Sequence, residues 1–156
     1  MFTTHQIVVA PGHGLGKIER IETRMLGSNE KQFYVVQLIS SPMKIMVAFE
    51  NKSLRALVDR SVAQSVFSIL SDHSGSFELD TWNKRYHRFQ ESIRSGDIVE
   101  IAKVYRELML TKKHKTLSFG ERKVVDQVES LVVQELSYVL QEPAHQIQTS
   151  VRNFFN

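Results

Sequence analysis

Over roughly its first third the chain sets apolar residues in short runs that suit strands better than helices. Residues 6–10, 17–22, 33–39 and 44–49 are rich in Val, Ile, Phe and Tyr or alternate apolar with polar, as strands do when successive side chains face opposite sides of a sheet. Turn chemistry separates them. Pro11, Gly12, His13, Gly14, Leu15 and Gly16 form one break, Gly27, Ser28, Asn29 and Glu30 a second, and Ser40, Ser41 and Pro42 a third, because Gly reaches positive φ freely and Pro fixes its own φ. Four or five short antiparallel strands are expected.

From Ala56 onward the period becomes helical, which places a domain boundary between residues 54 and 59. Val58, Val62, Val66, Ile69 and Leu70 line one helix face, and the polar run Asp72, His73, Ser74, Gly75 and Ser76 ends it. Trp82, Tyr86, Phe89 and Ile93 follow at i, i+4, i+7 and i+11. Asp80 or Thr81 can cap this second helix, which runs to about Arg94, and Gly96 can close it. Asp97 caps a third, with Ile98, Ile101, Val104, Tyr105, Leu108 and Met109 facing inward. Ser118 and Glu121 form a capping box: the hydroxyl serves the third amide and the carboxylate reaches back to the cap amide. Val124, Val125, Val128, Leu131, Val132, Leu136 and Val139 then make a long stripe with Glu135 as its polar exception. Pro143 stops that helix, and a short last one over 144–155 sets Ile147, Val151 and Phe154 on one side. The pattern predicts an α+β chain of two domains. Residues 1–56 read as a small SH3/Tudor-like antiparallel β-barrel whose edge strand stays open to a partner, and residues 57–156 as an all-α bundle of about five helices.

Composition narrows the function classes. Of the 156 residues, 42% are apolar, enough to fill a core, and none is cysteine, which excludes disulfides and thiolate metal sites. No apolar run approaches the ~20 residues that span a bilayer, and the first residues lack the charged-then-apolar form of a signal peptide, so a soluble cytoplasmic protein is expected. The six histidines (His5, His13, His73, His87, His114, His145) offer no short ligand pair, so no metal site is expected. Gly12, Gly14 and Gly16 lack the following Gly-Lys-Ser/Thr, and a strand rather than a helix comes next, so they make a turn and not a phosphate loop. No nucleophile with its base and no carboxylate pair is visible; neither an enzyme nor a cofactor is expected.

The net charge of +3 conceals an uneven distribution. Residues 81–116 hold nine Lys and Arg against four Asp and Glu, while the flanking segments are acidic. The only tryptophan opens that basic stretch, with Lys84, Arg85 and Arg88 close behind. Two readings stand. A tryptophan at helical spacing with other aromatics is commonly core, because an indole buries much apolar area. Basic charge interleaved with aromatics in a first helical turn also suits phosphates and unstacked bases. Lys112, Lys113, His114 and Lys115 form a basic loop, either a solvated complement to a helix C-terminus or a phosphate contact.

The ordered motifs resemble a known family. Val8 to Gly16, then Ile21, Glu22, Thr23 and Arg24, then Met43 to Val47 with Glu50 and Asn51, look like the polymerase-interacting domain of the CarD and CdnL transcription regulators. Trp82, Asn83, Lys84, Arg85 and Tyr86, then Ser95, Gly96 and Asp97, then Leu117 to Arg122, resemble that family's helical domain in the same order. The resemblance covers nearly the whole chain. It implies a bacterial, non-enzymatic and monomeric regulator, nucleoid-associated through RNA polymerase, whose first domain binds the polymerase β subunit. Its helical domain would contact promoter DNA at the upstream edge of the transcription bubble. Trp82 would wedge against the opened junction and stabilise the open complex, with Lys84, Arg85 and His87 on phosphates; Arg24 and Met46 fall at polymerase-facing positions. Arg24 matches a basic position there. Ala10 stands where a tyrosine is common and Met46 where some relatives carry an arginine, and the lack of a C-terminal AT-hook extension favours the CdnL type. The alternative is a polymerase-docking adaptor without a DNA wedge, in which Trp82 is core.

Overall fold

The computed structural model of the protein describes residues 1–74 and 80–156. It divides into two compact units, Met1–Leu57 and Val58–Asn156.

The first unit is a five-stranded antiparallel sheet: β1 (Ile7–Ala10), β2 (Gly14–Leu26), β3 (Asn29–Leu38), β4 (Lys44–Ala48) and β5 (Arg55–Ala56), in the order β4-β3-β2-β1-β5. The first turn is tighter than its composition suggests. His13 N–H donates to Ala10 C=O at 2.8 Å, and Gly14, Leu15 and Gly16 already pair with β1, so only residues 11–13 turn. Val8, Ala10, Ile18, Tyr34, Val36, Leu38 and Val47 fill the core beneath the sheet, where Tyr34 stacks on Phe49 at 4.2 Å between centroids. Beyond this core β2 and β3 continue as a two-stranded arm from Thr23↔Gln32 to Leu26↔Asn29.

The second unit is five helices: α1 (Arg60–Ser71), α2 (Trp82–Ser95), α3 (Ile98–Lys112), α4 (Phe119–Leu140) and α5 (Ala144–Asn153). Their ends follow local chemistry. Asp59, Thr81, Asp97 and Ser118 cap the first four through side-chain oxygens, and Gly96 closes α2 at φ 70°, a region that suits a residue without Cβ. Gly75 and Ser76, read as part of the stop after α1, lie outside the described residues. One expectation needs correction. Gln141, at φ 55°, ends α4, and Pro143 instead stands at the N-cap of α5. Phe154 packs against the helical core with Ile147 and Val151, and Phe155 beyond it is buried as well, meeting Tyr105 edge-on at 5.7 Å.

The helical core holds three buried glutamates, Glu121, Glu129 and Glu135, where the apolar stripe predicts one. Glu135 accepts the Val58 N–H at 2.9 Å. Glu129 accepts from Tyr105 Oη at 2.9 Å, Gln148 Nε2 at 2.8 Å and Arg152 Nη2 at 2.7 Å, which fastens α5 onto α3 and α4. Burial alone would raise its pKa, but these donors from Arg152, Gln148 and Tyr105 outweigh burial and hold the carboxyl below the usual glutamate range. A depressed carboxyl stabilises fully above its unfolded pKa and loses that contribution as pH falls through the folded value. Glu129→Gln should therefore lower the unfolding free energy at neutral pH by about 2 kcal/mol. In denaturant titrations the gap to wild type should narrow as the pH is taken down to about 3; a gap independent of pH would contradict the assignment.

Candidate nucleic-acid interface

The start of α2 is set by Thr81, whose Oγ1 accepts the Lys84 N–H at 3.4 Å; Asp80 is not the cap. Trp82 is thereby the first helical residue. Its indole is half-buried, packing on the edge of the helical core with Tyr86 at 5.5 Å and Phe89 at 6.5 Å between ring centroids. The side that rests on α4 does so over Gly120. A Cβ there would stand 3.0 Å from Trp82 Cζ2, so the absence of a side chain is what lets the ring lie this close. The ring is thus partly seated on the core and partly open.

A buried ion pair holds the seat. Arg85 Nη1 meets Glu121 Oε2 at 3.3 Å, with side chains only 11% and 3% exposed, and the guanidinium lies 5.9 Å from the Trp82 ring and 5.5 Å from Phe89. The capping box of α4 forms as predicted. The other oxygen of Glu121 accepts the Ser118 N–H at 3.0 Å and Lys115 Nζ at 3.3 Å. Burial would raise this carboxyl, and the Ser118 and Lys115 donors outweigh it, so it stays below the ordinary range and charged. Turned inward, Arg85 lacks the exposure that a direct phosphate contact needs.

The other candidates differ. Lys84 is exposed and has no ion partner among the described residues. His87 is 72% exposed, with Nε2 3.2 Å from Glu91. Arg88 makes a bidentate pair with Glu107 at 3.0 and 3.1 Å, tying α2 to α3. Trp82, Asn83, Tyr86, Gln90, Gly120 and Lys123 line a shallow hollow of about 470 Å³. Sequence reasoning missed Gly120 and Lys123 as neighbours of the tryptophan. Only the adjacency of Gly120 to the capping-box Glu121 hinted at a close approach.

In the sheet, Arg24 is exposed on the β2–β3 arm and bonded to Glu22, whose other partner is Arg20. Met46 lies on β4 opposite Val35, which faces Arg20. Arg24 and Met46 share a face of the sheet but stand four residues apart along the ladder, roughly 13 Å. They are not brought together in one cluster.

Gly120→Ala tests the seating of the indole. The added methyl should push the ring outward by a few tenths of an ångström, raising acrylamide quenching and red-shifting Trp82 emission while the circular dichroism stays that of wild type. Unchanged quenching would mean that Gly120 does not set the ring position.

Comparison with known proteins gives the family of both units. The family model described as "CarD-like/TRCF RID domain" matches residues 2–60, and that described as "CarD, C-terminal domain" matches residues 65–152. A Bacillus subtilis (strain 168) protein named "Putative transcription factor YdeB" is 31% identical over 142 residues, which cover 89% of this chain and 92% of that protein. The role this supports is a transcription-related one that involves RNA polymerase, in a family of transcription factors rather than enzymes. With both units matched in chain order, the sheet by one domain and the helices by the other, the chain belongs to the CarD/CdnL family of bacterial transcription regulators.

Proposed function

We propose that this chain, bound to the polymerase β subunit through its sheet, stabilises the open promoter complex by setting Trp82 against the upstream edge of the transcription bubble. The observation that carries the reading is the braced, half-exposed indole at the head of a basic helix. A ring already seated on Gly120 and flanked by the Arg85–Glu121 pair loses little freedom when it meets a base. It can replace the stacking lost at a fork, a term of about 1–3 kcal/mol per base, which slows closure about fivefold to a hundredfold. Lys84 and His87 are exposed beside it and suited to phosphates, which fix position without reading sequence. Arg85 serves this site as a positioning residue: it holds Trp82 rather than DNA.

The β4 edge supports docking on polymerase. Leu38 N–H donates to Met43 C=O and Phe49 N–H to Gln32 C=O, so the hydrogen-bonded pairs of the β3–β4 ladder fall on Val36↔Ile45 and Tyr34↔Val47. The backbone N–H and C=O of Lys44 and Met46 therefore point away from β3, toward a strand that a partner can add. On this account the Met46 contribution is its main chain, which tolerates the change of side chain from the arginine of some relatives. The protein would work in the cytoplasm, where transcription occurs.

Met46→Pro removes the outward N–H and leaves the β3 ladder intact, as proline can on an edge strand. It should weaken binding to purified β subunit at least about tenfold by isothermal titration, while Met46→Ala changes it little. Equal losses in both would assign docking to the side chain, and full affinity of Met46→Pro would remove the edge from the account.

A further inference from the structure

The end of α3, the loop after it and the first two turns of α4 enclose a groove of about 790 Å³ that has no part in the reading above. Lys112, Lys113, Lys115, Arg122 and Lys123 line it against one carboxylate, Asp126. Phe119 is the unusual member. It is 67% exposed and belongs to neither core, and its ring faces Lys123 Nζ at 5.0 Å. A large aromatic kept mostly in the open at the head of a helix adds little to the folded core, yet with cations around it, it has the make-up of a stacking platform. Lys115 is engaged by Glu121, which leaves Lys112, Lys113 and Lys123 as the groove's outward lysines.

The groove runs on from the Trp82 hollow. Lys123 lines both, and Phe119 precedes Gly120, the residue under the indole. Duplex DNA offers phosphates to such a surface but keeps its base faces closed to a ring; an unpaired strand offers both. We propose that this groove takes unpaired single-stranded DNA, with Phe119 stacked on a base and Lys112, Lys113 and Lys123 on the flanking phosphates. The inference rests on the reading that the Trp82 face meets DNA at a fork, because a fork is where an unpaired strand begins.

A single-tryptophan reporter tests it. In the full chain, Trp82→Phe combined with Phe119→Trp leaves one indole, in the groove. Titration with an oligothymidylate of about 12 nucleotides at low salt should quench that indole, and a duplex of the same length should not. In the wild-type background, Phe119→Ala should weaken the labelled oligonucleotide at least about fivefold by fluorescence anisotropy. Lys112→Glu with Lys113→Glu should weaken it further and flatten the salt dependence. Binding without quenching at the groove indole, or equal binding of single strand and duplex, would overturn the proposal. The Trp82 reading is followed separately in the Phe119→Ala protein, whose one indole is Trp82, with a forked duplex. Quenching there without quenching at the groove sinks only this inference; the reverse sinks only the wedge.

Discussion

Glu121 carries the architecture of the candidate interface. Its carboxylate lies at the head of α4 in a nearly closed pocket, and its two oxygens are shared among the capping amide of Ser118, Lys115 from the preceding loop and Arg85 from α2. A charge buried this far is tolerable only with its partners in place, and removing the buried Arg85 would leave it stranded at a cost of about 3–5 kcal/mol. The pair therefore registers α2 against α4. That registration sets where the Trp82 ring sits, because the ring lies over Gly120, one residue before Glu121, and beside the Arg85 guanidinium.

The same arrangement separates two duties that a basic helix usually mixes. Arg85 and Arg88 are spent on Glu121 and Glu107, inside the molecule or between its helices. Lys84 and His87 face outward on the same helix, and the lysines at the start of α4 and the end of α3 extend positive charge past the tryptophan. On the proposed reading the sheet unit would make its own contact separately, through the outward main chain of the edge strand β4. On the same reading such a protein would need little intrinsic affinity for DNA, since attachment to a larger partner would raise the local concentration of the helical face.

Much of this was legible from residue pattern alone. Alternation and turn residues gave the strands, the 3.6-residue period gave the helices, and Ser118 with Glu121 marked the head of α4 to the residue. The ends of elements were less legible where two signals competed: Gly14 and Gly16 read as turn yet pair within β2, and Pro143 read as the stop of α4 although Gln141 already turns the chain. The residue types of the candidate site were legible; its arrangement was not. Residue type marked Trp82 and its cations, but not which cations are free, because that depends on carboxylates 36 residues away for Arg85 and 19 for Arg88. Glu129, similarly, sits at an apolar-stripe edge whose partners Gln148 and Arg152 come from another helix.

The central claim is that the indole of Trp82 keeps promoter DNA open. The most direct measurement is the lifetime of open complexes formed by a matched bacterial RNA polymerase, challenged with competitor, with no addition, with this protein and with Trp82→Ala shown to be folded and polymerase-bound. The account predicts that the wild-type chain lengthens the lifetime about fivefold or more and that Trp82→Ala loses that gain. A Trp82→Ala protein that lengthens the lifetime as well as wild type would contradict it, and leave the chain as a docking adaptor with tryptophan in its core.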